Sequence, residues 1–346
     1  MEASPHDGFT APDHLLCING LDKRQEIAIQ LESYIELDVS GFRLRAEDVS
    51  TILMAPIEHF ESGQVFSVHR FQHNGVRYYP PLACYMKWHL EGIAPLCSID
   101  TPIFRTNLKL DDHVRDREEE AECLEPDGKA CVVFGTENPM VSHIIPCAWN
   151  DTKEHKNVTG DIKMRAPGLF RLNINGAASY ICNPHELGGT DKVWNMMCLH
   201  PELYKLWAKG YCTFKHTCTE RCDANKLKAT LQFRWMQQIK KRLGQEIDVH
   251  GTGSGSDWQQ WIEELNCSII KVIHPWLPAK KHFDISPYDT KHFGEVIDIQ
   301  WACILFTALV GATGDPELLS MNPGDKVMQW IQSLARWADE HEHGSD

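Results

Sequence analysis

The sequence predicts an α+β protein built from a β-rich N-terminal part over residues 1–118, a central mixed module over 119–250 and a helical C-terminal part over 251–346. Three features carry this division. Apolar and polar residues alternate with the period of half-buried strands in the first part. The central part sets short apolar runs around a proline-opened helical run, and the last part places Trp and Ile at helical spacing behind a Gly/Ser stretch.

In the first part, strands are expected at Ile27 to Leu31, Ser33 to Val39 and Gly41 to Arg45. A further strand is expected from Gly63 to Phe71, followed by an aromatic stretch around Tyr78 and Tyr79. The charge run from Arg115 to Glu120 marks the first boundary. At the other end, Gly251 to Ser256 reads as a flexible loop. Asp257 is then expected to cap a helix carrying Trp258, Trp261, Ile262 and Leu265. Further helices are expected over Trp301 to Leu309 and Val327 to Trp337, and the tail from Asp339 is polar.

The chain has 346 residues, 42% hydrophobic and 24% charged, which suits two or three packed units. Its net charge of −14 argues against a protein that lies along a phosphate backbone, which needs a basic face. A local exception would have to come from Lys226 and Lys228 with Lys240, Lys241 and Arg242, a cluster that also suits a solvated helix face. The first residues lack a basic segment followed by an apolar one, so no signal peptide is expected. The longest apolar stretch, Ile297 to Ala312, is interrupted by Asp298, Gln300 and Gly311 and falls short of the roughly 20 residues of a membrane span. A buried helix is the expectation there. Thirteen Cys, an odd number without tight spacing, suggest reduced thiols and a cytoplasmic or nuclear protein. The sequons at Asn150, Asn157 and Asn266 would then be incidental.

The central part holds the informative pieces. Val141, Ser142 and His143 lead into Ile144, Ile145 and Pro146, a short strand ending in a histidine. Further on, Asn195 precedes the apolar Met196, Met197 and Leu199. Pro201 opens a helix, where its missing N–H is harmless. Trp207 supplies an aromatic, Gly210 ends the helix, and Tyr211 to Phe214 returns as a strand. Cys131 to Gly135 reads as an opening strand and turn, and Ala229 to Trp235 as a closing strand.

In order and spacing these pieces resemble fungal HNH nucleases, the ββα-metal fold, over roughly residues 115–240. The resemblance implies a central ββα-metal module in which His143 is the general base on an attacking water. A divalent metal would polarise the phosphoryl oxygen, and Asn195 would pin the loop. It also implies metal ligands at three positions: the residue before the histidine, the residue nine after the asparagine, and the one four further along the same helix face. This sequence has Ser142, Tyr204 and Ala208 there. Neutral Tyr, with a reference pKa of about 10, is a poor ligand, and Ala offers nothing to Mg²⁺, Mn²⁺ or Zn²⁺. A slid register would bring in His200 with Glu202 nearby, at the expense of the buried helix face formed by Leu203, Leu206 and Trp207.

Other candidates are weaker. Cys212, His216, Cys218 and Cys222 could hold zinc, but their spacing is compressed into eleven residues, and reduced thiols are the plainer reading. Asp284, Asp289 and Asp298 lack an assignable carboxylate partner and suit surface or capping roles. No phosphate-binding glycine loop or nucleophile elbow is present. Of eleven Trp, Trp149, Trp194 and Trp207 fall where they could line an aromatic pocket.

Three functions compete. The first is a cofactor-free and metal-free enzyme acting on an apolar small molecule by cyclisation, isomerisation or Diels–Alder-type cycloaddition, with His143, Asn195 and Tyr204 as donors or acid–base groups. Fungal secondary metabolism, which recruits unusual scaffolds, is the setting the resemblance implies. The second is an active HNH endonuclease using the slid register. The third is a non-catalytic binding module.

Overall fold

The computed structural model describes residues 9–10, 13–14, 20–37, 40–61, 116–125, 128–145, 187–223, 226–236, 242–251, 255–264, 266–267, 270–273, 276–278 and 287–313. Among the described residues helices and small antiparallel sheets combine, an α+β architecture. The expected strands at Gly63 to Phe71, the aromatic stretch at Tyr78 and Tyr79 and the helix at Val327 to Trp337 lie outside those residues.

The N-terminal part departs from the expectation of strands. Residues Leu21–Glu36 form a helix, α1, across both segments read as β. Its buried positions are Ile27, Ala28, Leu31, Glu32 and Ile35. That is the i, i+1, i+4, i+5, i+8 stripe of a helix, not the two-residue period of a strand. Ile27, Ile29 and Leu31 match a strand period, and Ile27 with Leu31 a helical one; Ala28 and Ile35 decide between them. A second helix, α2, runs over Ala46–Met54 and buries seven of its nine residues. Arg24 of α1 donates from Nη1 to the carbonyl oxygens of Ile52 and Ala55, satisfying the C-terminal end of α2. The segment read as a strand from Gly41 to Arg45 makes one isolated bridge, Arg45 to Glu246. The backbone hydrogen bonds Ala46 N to Gln245 O and Ile247 N to Leu44 O flank it.

The main sheet is antiparallel and ordered β1 (Phe9–Thr10), β8 (Ile270–Ile273), β6 (Lys226–Trp235), β5 (Cys212–Asp223), with β9 (Trp276–Pro278) pairing the other end of β6. A second small sheet pairs β2 (Asp13–His14) with β7 (Asn266–Cys267). The C-terminal part is therefore not purely helical: β7, β8 and β9 precede its long helix. The β-branched Ile270, Val272 and Ile273 favour that pleated conformation.

Helix α3 is Arg117–Leu124, α4 Pro201–Ala208, α5 Asp257–Glu263 and α6 Pro287–Leu309. The charge run taken as a boundary is the first turn of α3. Ser256, not Asp257, caps α5, its hydroxyl accepting from Gln259 N at 3.2 Å. Helix α6 contains most of the long apolar stretch and lies along β5, covering the strand that ends the main sheet. The approach is closest at Gly294, where a Cβ would stand 2.9 Å from Cε1 of His216, so no larger residue fits without movement. Among the described residues no helix is long and apolar enough to cross a membrane.

One continuous apolar core takes residues from all three parts, from Ile27 through Trp207 and Phe233 to Ala312. Arg242, expected on a basic patch, is buried instead; it pairs with Glu264 at 2.7 Å and lies over the Trp261 ring.

Candidate functional site

The site is built on a hairpin of β3 (Met140–His143) and β4 (Met196–Leu199). The register pairs Ser142 with Met197 and His143 with Met196. Paired residues share a face and neighbours alternate. Met197 and Leu199 belong to the main core together with Leu203 and Trp207 of α4. Met196 and Cys198 belong to a smaller cluster with Val193 and Cys123 of α3, against which Val141, Val132 and Leu124 also pack. The hairpin therefore has an α4 face and an α3 face, with Ser142 on the former and His143 on the latter.

On the α3 face, His143 Nε2 meets Asp191 Oδ1 at 2.7 Å, with both side chains more than nine-tenths buried. The other oxygen of Asp191 accepts from Asp116 N at 2.8 Å, at the start of α3. Asp116 caps that helix, accepting from Glu118 N and Glu119 N. Glu119 reaches back: Oε2 accepts from Val193 N at 2.8 Å and Oε1 from Lys192 Nζ at 3.1 Å. Backbone donors and a lysine thus stabilise two buried carboxylates. Where Asp191 accepts from Nε2–H, the lone pair of an uncharged ring falls on Nδ1.

Asn195 is fully buried and its amide is saturated. Oδ1 accepts from Ile145 N at 2.8 Å, while Nδ2 donates to Ile145 O at 2.7 Å and to Thr190 O at 2.8 Å. Its own carbonyl accepts from Ile144 N at 2.8 Å. Asn195 therefore clamps the residues after His143 to the residue before Asp191. The side chain expected as a reacting donor is a clamp that leaves nothing to offer a substrate.

The α4 face is apolar. His200 caps α4 through Nδ1, accepting from Glu202 N at 3.3 Å, and Pro201 is the first helical residue. Glu202 is solvent-exposed and held below the usual carboxylate range by its hydrogen bond to Lys205 at 2.7 Å and by that ammonium's charge. The pair that a slid register would have placed on a metal is thus occupied in capping and surface pairing. Gly210 has φ +76° and closes the helix as its spacing anticipates.

Tyr204 and Ala208 sit one turn apart and half-buried on α4. Tyr204 packs on the main core, edge-on to Trp207 at 6.5 Å. Ser142 is buried, with its hydroxyl donating to Met140 O at 3.3 Å. The structure joins His143 with Asn195 but assigns Tyr204 to the opposite face of the hairpin. Trp207 is fully buried against Phe214, and Trp194 is buried edge-on to His292 at 5.3 Å. Both are core residues rather than pocket linings, and Trp149 lies outside the described residues.

The zinc candidates separate. Cys212 is buried and its thiol is pushed far above its ordinary value by desolvation. His216 is pushed down by burial, and its Nε2 bonds Thr219 Oγ1 at 2.9 Å. Cys218 is exposed, and the side chain of Cys222 is outside the described residues. Among the described residues no group of three or more His, Cys, Asp or Glu could hold a metal. Asp298, expected as a surface or capping carboxylate, is largely buried and raised to about 6, chiefly by desolvation.

Sequence reasoning missed Asp191, Asp116 and Glu119, the residues that organise His143. A signal existed. Asp191 stands four residues before Asn195, and a carboxylate that close to a loop-pinning asparagine falls near the strand-end histidine that the asparagine serves.

Residues 131–215 match the model of the HNH endonuclease family and form an HNH-like domain. The match covers about a quarter of the chain and spans both strands of the hairpin, α4 and the start of β5. No curated protein and no solved structure matches this chain.

Proposed function

We propose that the HNH-like domain is a retired nuclease centre, reused for metal-independent proton transfer on an apolar small molecule in an isomerisation or cyclisation. The observation that supports the loss of cutting is the side-chain chemistry at the family's ligand positions. Ser142, Tyr204 and Ala208 present a hydroxymethyl, a phenol and a methyl, and Ser142 lies on the face opposite His143. A hard divalent cation needs carboxylate, imidazole or carbonyl donors. These residues do not fit one.

The retained chemistry is the His143–Asp191 pair. Asp191 fixes the ring and tautomer and stabilises the imidazolium that forms when Nδ1 takes a proton, as a carboxylate does for a catalytic histidine. Asp116 N holds Asp191 in place. Val141, Val193 and Met196 surround this face with apolar side chains, which suits an apolar ligand better than a polyanion. The net charge of −14 acts in the same direction. A lone pair at Nδ1 can remove a proton next to a carbonyl; a cycloaddition would draw on shape alone.

The test is deuterium uptake. Enolisable apolar ketones incubated with the protein in D₂O are expected to exchange faster than in buffer, with the gain lost in His143→Gln. Plasmid incubated with Mg²⁺, Mn²⁺ or Zn²⁺ is expected to stay supercoiled. Metal-dependent nicking that disappears in His143→Ala would overturn the reading in favour of an endonuclease. A binding module is the second reading, favoured by the near-complete burial of His143; it predicts no exchange with any ketone.

A further inference from the structure

Cys123, near the end of α3, and Cys198, on β4, bring their sulfur atoms to 3.7 Å. The two are 75 residues apart in sequence, so the contact is made by the tertiary fold. Cys198 also donates from Sγ to the carbonyl oxygen of Cys123 at 3.4 Å, which aims one sulfur at the other residue's backbone. Both thiols are reduced and buried, Cys123 at 5% exposure and Cys198 at 0%. Around them lie Val193 and Met196, so the thiols have an apolar cluster for surroundings and each other for company. The gap to be closed is from 3.7 Å to the roughly 2.05 Å of a disulfide.

We propose that Cys123 and Cys198 form an oxidisable dithiol, a modification site whose disulfide fastens α3 to the β3–β4 hairpin. The oxidant is a peroxide. Cys123, the more exposed of the two, attacks one peroxide oxygen through its sulfur, the O–O bond breaks, and the thiol proton leaves with the departing hydroxide or alkoxide as water or alcohol, giving Cys123 sulfenic acid. Cys198 sulfur then attacks the Cys123 sulfur, the S–O bond breaks and water leaves with the thiol proton. Over both steps two thiols lose two electrons, and hydrogen peroxide becomes two waters.

The location gives the bond a consequence. Helix α3 supplies Asp116 N to Asp191 and the Glu119 carboxylate to Val193 N and Lys192. It is short, and Arg117, Glu118, Glu120 and Glu122 all point their charge toward solvent or its margin, with Glu119 and Cys123 as its two buried residues. A covalent tie at Cys123 therefore removes the chief way this helix can open, and with it the way Asp191 loses its backbone donor. The proposal concerns the thiols alone and stands whether or not His143 transfers protons.

The test treats the full chain with stoichiometric hydrogen peroxide, blocks remaining thiols, and maps peptides without reduction. A peptide joining Cys123 to Cys198 is expected as the main intramolecular cross-link, absent from Cys198→Ser. Amide exchange in 117–124 should slow at least several-fold in the oxidised protein, and reduction should restore it. Recovery of both cysteines alkylated, or pairing of either with another thiol, would overturn the assignment. So would a cross-link that leaves exchange in α3 unchanged, for then the disulfide fastens nothing. Because the wild-type map needs no variant to fold, the outcome is decisive even if Cys198→Ser is unstable.

Discussion

The two faces of the β3–β4 hairpin have opposite chemistry. The α3 face holds a chain of charged and polar partners in which His143, Asp191, Asp116, Glu119 and Lys192 are tied together at 2.7 to 3.3 Å. The α4 face holds Met197, Leu199, Leu203 and Trp207, a continuous apolar layer with Tyr204 on its margin. A metal centre would need ionisable groups converging from strand and helix; here those groups are collected on one side. The difference teaches that the scaffold and the chemistry of a fold are separable. Asn195, Pro201 and Gly210 keep the chain path, while on the proposed reading Ser142, Tyr204 and Ala208 serve packing where an ion would be gripped.

The comparison can be broken most violently on the α4 face. Trp207→Ala removes a fully buried indole and should cost about 3–5 kcal/mol in a denaturant titration. A loss under about 1 kcal/mol would mean that this face is not core. Next comes the clamp. Asn195→Ala orphans the Ile145 amide and the carbonyls of Ile145 and Thr190, and should cost about 2–4 kcal/mol. Asn195→Asp keeps the acceptor but sets a buried carboxylate oxygen against the carbonyls of Ile145 and Thr190, and should cost at least as much. Both are read by thermal unfolding.

A smaller effect is expected from a control away from the hairpin. Asp298 on α6 is raised to about 6 by burial, against 3.8 for a free Asp side chain, with Lys215 opposing the rise and Glu295 reinforcing it. The folded state then holds its proton more tightly than the unfolded chain. This group's stabilising contribution is complete below about pH 4 and is lost as pH rises through about 6. Asp298→Asn should be more stable than wild type by roughly 1–3 kcal/mol at pH 8, with the advantage fading towards pH 4. An equal gain at both pH values would contradict the assignment. The smallest effect on stability is expected from Tyr204→His with Ala208→Asp, both half-buried on α4. Unfolding should change by about 1 kcal/mol or less, yet the pair recreates an i, i+4 ligand set on one helix face.

Much of the hairpin was legible because its punctuation is chemical. Proline at the first helical position, glycine at a positive-φ helix end and an asparagine that must saturate its amide leave local marks. Helix α1 was misread because Ile27, Ile29 and Leu31 satisfy a strand period over a window too short to separate it from a helical one. Strands β7 to β9 were missed because the Trp and Ile spacing of α5 was extended over a region whose β-branched residues signalled strand. The Tyr204 placement failed for another reason: sequence order says nothing about which face of a hairpin a side chain occupies until the register is known. Trp194 and Trp207 were read as pocket residues from their count, when burial of an indole is the commoner fate of Trp in a core of this size.

The proposed loss of a metal grip around His143 is tested most directly by calorimetric titration with Zn²⁺ and Mn²⁺. The wild-type chain is expected to give no stoichiometric heat that His143→Ala removes. A wild-type protein that binds one equivalent of either ion, and loses it with His143→Ala, would contradict the account.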